Sequence, residues 1–168
     1  MKQFIKWLTI TNSFNFIVVL SLVSIIIKIP GTIIGDLIVN LIGLNRPPFS
    51  SNTQTAELNI FHYVTLILIA PFFETLIGQY IPIKLLSKFI KSNKLIIILS
   101  ALVFSFLHLP VLGFLLGAFL VGVVFSWGYI LKTKKKGSKP FLIIMLAHGL
   151  HNLIAIFAVY LLQLLNIQ

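Results

Sequence analysis

The sequence predicts an all-α membrane protein: a polytopic bundle of about five transmembrane helices plus one interfacial amphipathic helix. Three observations carry that expectation. Of the 168 residues, 58% are hydrophobic and only 10% carry a formal charge, against about 25% in soluble domains. The mean hydropathy is +1.07. The apolar residues also fall in runs long enough for helices to cross a bilayer. Together these exclude an ordinary water-soluble domain, a disordered tail and a nucleic-acid-binding module. The net charge of +10 then reads as lysines marking cytoplasmic loops, and no nucleic-acid partner is expected. Cysteine is absent, so disulfides, thiol catalysis and Cys-based metal sites are excluded. One integral membrane domain over residues 1–168 is expected, embedded in the lipid bilayer as its first partner.

Each element follows in order. Residues 1–11 carry Lys2 and Lys6, and an apolar run spans 14–29. No small-x-small cleavage site follows it, so a retained first helix is expected rather than a signal peptide. Pro30 and Gly31 interrupt the run, and the course of 30–44, with Asp36 and Asn40, is open between a kinked extension and an interfacial segment. Residues 45–55 (NRPPFSSNTQT) form the clearest loop. Residues 58–83 are long enough to span and contain His62, Pro71 and Glu74. In 84–94, Lys84, Lys88 and Lys91 fall on one helical face, the pattern of an interfacial amphipathic helix.

Residues 95–131 carry no formal charge and are nearly long enough for two spans. They predict a tight hairpin turning near 109–113, with His108 beside the turn. The returning helix carries Gly113, Gly117, Ala118 and Gly122, small residues that permit close helix packing. A basic loop, 132–139 (KTKKKGSK), precedes a last span over 140–168 with His148, His151 and Asn152. Eleven of the thirteen positive charges lie in 1–11, 84–94 and 132–139, and five spans place all three on one side. The N-terminus is then cytoplasmic and the C-terminus outside, in a cell membrane. Lys28 and Arg46 are the exceptions. Richness in Ile, Lys and Asn points to a bacterial source.

Ionisable side chains inside a membrane are costly and are functional candidates by default. Glu74 is the carboxylate in the middle of a span; His108, His148 and His151 lie in or at the ends of others, and Asn152 adds an amide. At 1.5 Å per residue, Glu74 lies roughly 13 Å, His148 roughly 12 Å, Asn152 roughly 18 Å and His108 roughly 20 Å from the cytoplasmic ends of their spans. The four can share one layer. His148 and Asn152, four apart, share a helix face, as do Phe104 and His108, and Thr75 and Gln79. Pro71, three before Glu74, frees a backbone carbonyl at the site. His62 reads as an interfacial or hydrogen-bonded histidine, and Phe72, Phe73 and Phe106 as packing.

The pattern resembles the CAAX protease and bacteriocin-processing (CPBP, or Abi) family of intramembrane proteases, which includes the Rce1-type prenyl-protein endopeptidases. Its first motif, Glu-Glu-x-x-x-Arg, is matched by Glu74-Thr-Leu-Ile-Gly-Gln79; its second, Phe-x-x-x-His, by Phe104-Ser-Phe-Leu-His108; its third, His-x-x-x-Asn, by His148-Gly-Leu-His-Asn152. The three occur in family order on separate predicted spans, and the resemblance covers roughly 59–159. Two positions depart: Thr75 stands at the second glutamate and Gln79 at the arginine.

The resemblance implies an intramembrane endopeptidase in which a glutamate and the motif-two histidine activate water. Glu74 is then the general base and His108 its partner. His148 and Asn152 donate hydrogen bonds to the oxyanion, while Thr75, Gln79, Phe104 and His151 line or support the site. The substrate is a membrane-associated or secreted peptide, with bacteriocin processing or self-immunity as possible roles. No cofactor is expected. Zinc on Glu74, His108 and His148 is the competing arrangement, but the chain has no His-Glu-x-x-His helix. A non-catalytic scaffold or immunity protein with the same fold is the alternative to an enzyme. A cation carrier is disfavoured because the short chain shows no inverted repeat.

Overall fold

A computed structural model of the chain describes residues 2–43, 59–109 and 112–165. They form six helices: α1 (Lys2–Ile10), α2 (Ser13–Leu41), α3 (Ile60–Leu86), α4 (Asn93–Phe106), α5 (Leu112–Thr133) and α6 (Pro140–Leu164). No strand occurs among the described residues. Side chains supply the N-caps: the Asn12 carboxamide oxygen accepts from the Asn15 N–H at 2.8 Å and that of Asn59 from the His62 N–H at 3.1 Å. His62 is further held at 2.8 Å through Nδ1 to the Asn59 side chain, so its role is local. Pro140 opens α6 at a position where a missing N–H costs nothing.

Four of these helices, α2, α3, α5 and α6, are long and apolar enough to cross a membrane. The expected fifth span, α4, has 14 residues, or about 21 Å, short of a hydrocarbon core of about 30 Å. The reason lies in the uncharged stretch 95–131, which α5 shares unequally with α4. Of 30–44, the described part 30–43 continues α2, which runs through Pro30 as one helix of 29 residues ending at Leu41. The hairpin turn includes positions 110–111 and the polar loop is 45–55; both lie outside the described residues.

The interfacial helix expected at 84–94 does not form there. Helix α3 ends at Leu86, a turn follows, and Ser92 caps α4. A helical spacing of lysines cannot outlast a chain reversal between two packed helices. Lys84 instead reaches back to the Tyr80 hydroxyl at 3.2 Å. The short peripheral helix is α1, which buries Leu8 and exposes Ile5, Trp7 and Ile10. Its C-terminal carbonyls are capped from the 132–139 region: Lys132 Nζ donates to Leu8 and Thr11, and Lys135 Nζ to Ile10 and Thr11, at 3.0–3.4 Å. The N-terminal helix and this basic loop therefore occupy the same end of the bundle.

Helix α5 is the centre, with 56% of its apolar window buried against 11% for α3. The small residues expected to allow close packing do so. Gly117 meets Gly31 and Thr32, Gly113 meets Gly35 and Asp36, and Gly122 meets Ala101, so an added Cβ at Gly113 or Gly117 would collide with helix α2. Phe16, Leu20, Phe104, Phe125 and Ile144 fill the interior. Phe73 and Phe106 face outward.

Candidate active site

Helix α3 is not a regular α-helix, and its prolines explain why. Two π-helical segments, Thr65–Ile69 and Leu76–Tyr80, precede Pro71 and Pro82 respectively. Proline has no N–H to give the preceding turn and clashes with the carbonyl four residues back. In the first segment bonding steps to i→i+5, as the Ala70 N–H to Thr65 oxygen contact shows. In that register the Leu66 carbonyl faces Pro71 and is left without a backbone donor. The Asn152 amide takes it, with Nδ2 at 2.8 Å. At the second proline, the carbonyl of Gly78 loses its α-helical donor and Ser100 Oγ supplies one at 2.6 Å, itself receiving a hydrogen bond from Ser126 Oγ at 3.0 Å. The two prolines thus tie α3 to α6, α4 and α5, and Glu74 lies on the α-helical stretch between them.

Glu74 meets both motif histidines. Its Oε2 lies 3.2 Å from His148 Nε2 and 3.9 Å from His108 Nε2. The Glu74 and His108 side chains remain 28% and 21% exposed, while His148 is 3% exposed, so the first two are partly open and His148 is enclosed. Among the described residues, no group of three or more His, Cys, Asp or Glu side chains is arranged to hold a metal ion.

The protonation pattern of His108 follows from its partner. It stands just past the end of α4, where the last carbonyls lack intrahelical donors. Its Nδ1 lies 2.9 Å from the Phe104 carbonyl. A carbonyl only accepts, so Nδ1 carries a hydrogen, which leaves Nε2 as the ring nitrogen that faces Glu74. The spacing of Phe-x-x-x-His thereby acquires a physical meaning. The Phe104 ring packs 4.9 Å from His108 and 5.4 Å from His148, holding the two imidazoles apart. Gly78 makes room for it: a Cβ there would sit 2.8 Å from the Phe104 ring.

The remaining sequence candidates divide. His151 is buried and turned away from Glu74 toward α2, its Nδ1 2.7 Å from Ser24 Oγ. Ser24 in turn donates to the Ser21 carbonyl at 2.8 Å, so His151 ties α6 to α2. Asn152 bonds α3, as described, through one of its two amide hydrogens. Thr75 and Gln79 are fully buried, and neither the Thr75 hydroxyl nor the Gln79 amide has a hydrogen-bond partner. Gly149, beside His148, lets the Ile67 carbonyl approach closer than any Cβ would allow.

One residue of this neighbourhood was legible only as an anomaly. Lys28, on α2, sets its ammonium 4.6 Å from the centre of the Phe114 ring, and Phe114 packs 5.6 Å from His108. A lone charge in an apolar run was the signal.

Compared with known proteins, the chain matches a family model described as type II CAAX prenyl endopeptidase Rce1-like over residues 56–154. No curated protein and no solved structure matches. The matched segment contains Glu74, His108, His148 and Asn152; Lys28 lies outside it.

Proposed function

Since the chain belongs to the Rce1-like family of type II CAAX prenyl endopeptidases, we propose that it is a glutamate-dependent intramembrane endopeptidase that acts without a metal. The observation that carries this reading is the position of Glu74 Oε2 between His148 Nε2 at 3.2 Å and His108 Nε2 at 3.9 Å. The longer gap exceeds a direct hydrogen bond but suits a water bonded to both. Such a water donates one hydrogen to the carboxylate and one to the His108 lone pair, which leaves an oxygen lone pair for a peptide carbonyl.

The reaction then balances on these groups. The water oxygen bonds to the carbonyl carbon as its proton passes to Glu74. His148 Nε2–H, until then bonded to Glu74, and the second amide hydrogen of Asn152 donate to the oxyanion. As the tetrahedral intermediate collapses, the C–N bond breaks and Glu74 returns the proton to the leaving amine.

The substrate class is a membrane-associated, lipid-modified or secreted peptide; the family description names prenyl endopeptidases and says nothing of bacteriocins. We place the chain in a bacterial cell membrane with its N-terminus cytoplasmic. That orientation is supported by the capping of α1 from the 132–139 loop, which joins two lysine-rich segments at one end.

A farnesylated CAAX-type peptide, presented to the purified chain in liposomes, tests the activity. Glu74→Gln, His108→Ala and His148→Ala are each expected to lower cleavage by about 10²–10⁴-fold while the protein still inserts. The competing reading, a non-catalytic scaffold or immunity protein, is favoured by the motif departures at Thr75 and Gln79. It requires that a cellular phenotype survive all three substitutions, and that outcome would remove the protease reading.

A further inference from the structure

We propose that the outer seam between α3 and α6 binds one anionic phospholipid. Its acyl chain lies in an apolar groove, and its phosphate is held at the mouth of that groove by Lys84 and Tyr80. The groove has a volume of about 350 Å³ and is lined by Phe72, Leu76 and Tyr80 of α3 and Phe141 of α6. Pockets that hold small molecules have volumes of about 300–1,000 Å³. The rings brace one another edge to face: Phe141 lies 5.5 Å from Phe72 and 5.8 Å from Tyr80, which lies 6.4 Å from Tyr129. The groove is separate from the site at Glu74. Among the described ring contacts, Phe104, Phe114 and Phe125 pack on His108 and His148, and none of them joins the rings of the groove.

The depth of the groove matches one leaflet of a bilayer. Helix α3 has 27 residues, or about 40 Å, close to the thickness of a bilayer with its headgroups. Lys84 lies just before its end at Leu86, at headgroup level. Tyr80 lies roughly 9 Å and Phe72 roughly 21 Å from that end. The groove therefore runs from the polar boundary to the middle of the membrane, along the path of a lipid tail.

An apolar groove on a membrane-facing surface accepts any acyl chain, so the charge at its mouth selects the lipid. Between Tyr80 and Lys139 the chain carries nine lysines and no acidic residue. Lys84 is exposed; its ammonium donates to the Tyr80 hydroxyl at 3.2 Å and lies 5.3 Å from the centre of the Tyr80 ring. With its oxygen accepting from Lys84, the hydroxyl turns its own hydrogen elsewhere, and among the described residues nothing accepts it. A phosphate oxygen there takes the hydroxyl hydrogen and a second hydrogen of the ammonium, a charge-assisted pair. Lys139, two residues before Phe141, adds another exposed ammonium. Because α3 and α6 carry Glu74 and His148, a lipid seated on their seam ties together two helices of the site.

Lipid binding to the purified full chain in detergent tests the proposal, read as bound lipids per chain by native mass spectrometry and as the unfolding midpoint. The probes are dioleoyl phosphatidylglycerol and dioleoyl phosphatidylcholine. One phosphatidylglycerol is expected per chain, bound at least about tenfold more tightly than phosphatidylcholine, and it should raise the midpoint. Lys84→Gln is expected to lower that preference about tenfold, the loss of one hydrogen bond to a charged group, and Tyr80→Phe to lower it by a smaller factor. Lys88→Gln, which removes an exposed lysine just past the end of α3, should change it by less than about twofold. Leu76→Trp, which fills the groove, should weaken phosphatidylglycerol binding at least about tenfold.

A wild-type preference near one overturns the proposal. Equal losses in Lys84→Gln and Lys88→Gln overturn it in favour of diffuse attraction to a basic surface. Unchanged binding in Leu76→Trp puts the acyl chain elsewhere and overturns it as well; should that variant fail to fold, Lys84→Gln and Tyr80→Phe still decide. A farnesylated peptide that displaces phosphatidylglycerol one for one makes the groove a substrate site, and glycerol phosphate that does so makes it a site for a soluble phosphate; either result overturns the proposal. None of these readouts needs turnover, so the lipid site and the protease reading fail independently.

Discussion

Replacing Gly78 by alanine tests whether packing sets the catalytic geometry. A methyl group there would sit 2.8 Å from Phe104 Cδ2, 3.1 Å from its Cβ and 3.2 Å from its Cα. The last two belong to the rigid part of the residue, so Phe104 must shift as a whole by a few tenths of an ångström. Phe104 is 1% exposed and wedged against Phe125 and His148, so little space receives it. Overpacking of this kind costs about 1–3 kcal/mol. The same residue supplies the carbonyl that holds His108 and sets the 3.9 Å gap to Glu74. Misplacement by 1 Å costs about 10²-fold in rate, so the smaller shift is expected to lower kcat about tenfold. Turnover in liposomes and thermal unfolding in detergent read the two effects separately. Gly128→Ala is the control: its Cβ would meet Leu20 Cδ2 at 2.8 Å, the end of a flexible side chain that touches none of Glu74, His108 and Phe104 in the contacts described. It should leave kcat unchanged, and Phe104→Leu added to Gly78→Ala should recover part of the loss. Full kcat in Gly78→Ala, or an equal loss in Gly128→Ala, would refute the reasoning.

Asn152→Ala removes the donor to the Leu66 carbonyl, which the backbone cannot replace because Pro71 follows. An orphaned acceptor costs about 1–3 kcal/mol, so the unfolding midpoint should drop together with turnover; a midpoint equal to wild type would show that the tether contributes nothing. Turnover in excess EDTA or phenanthroline is expected to stay within about twofold of its untreated value, whereas a large loss restored by zinc would replace the glutamate mechanism with a metal one. Gln79→Met removes a buried amide that has no partner and should leave the midpoint unchanged or raised. Gln79→Arg alone buries an unpaired charge and should cost about 3–5 kcal/mol, most of it recovered when Thr75→Glu is added; the unfolding midpoints of the three variants check the series.

The chain's polar residues made the site legible because an apolar background leaves so few of them. Glu74, His108 and His148 were each placed within a span by sequence, and a common depth followed from the helix rise alone. Their convergence within 3.9 Å needed the packing of α3, α4 and α6. What stayed hidden depended on contacts across the sequence. The Asn152 side chain has a backbone partner 86 residues away, created by a π-segment that no side-chain pattern announces. His151 bonds Ser24, 127 residues away, and its proximity to His148 in sequence says nothing of that direction. Lys28 stood out by its charge, but its place over Phe114, the ring that packs on His108, accompanies glycine contacts between α2 and α5. The lysine spacing in 84–94 misled for the opposite reason. A periodic pattern was visible, but the need to reverse the chain between α3 and α4 overrode it.

The two motif departures read as one change once their place is known. Thr75 and Gln79 lie four apart on one buried face of α3, whereas Glu74 turns to the half-open layer with His108 and His148. A glutamate and an arginine in those two positions would form a buried ion pair one helical turn apart. Such a pair adds little net stability, because desolvation offsets its attraction, yet losing a single partner is costly. Replacing both with neutral groups escapes that cost, and this chain carries both replacements. The unpartnered Gln79 amide and Thr75 hydroxyl mark where the charges would have been. The departures therefore alter how the helix is anchored, while the carboxylate, the two imidazoles and the carbonyl that orients His108 keep their arrangement.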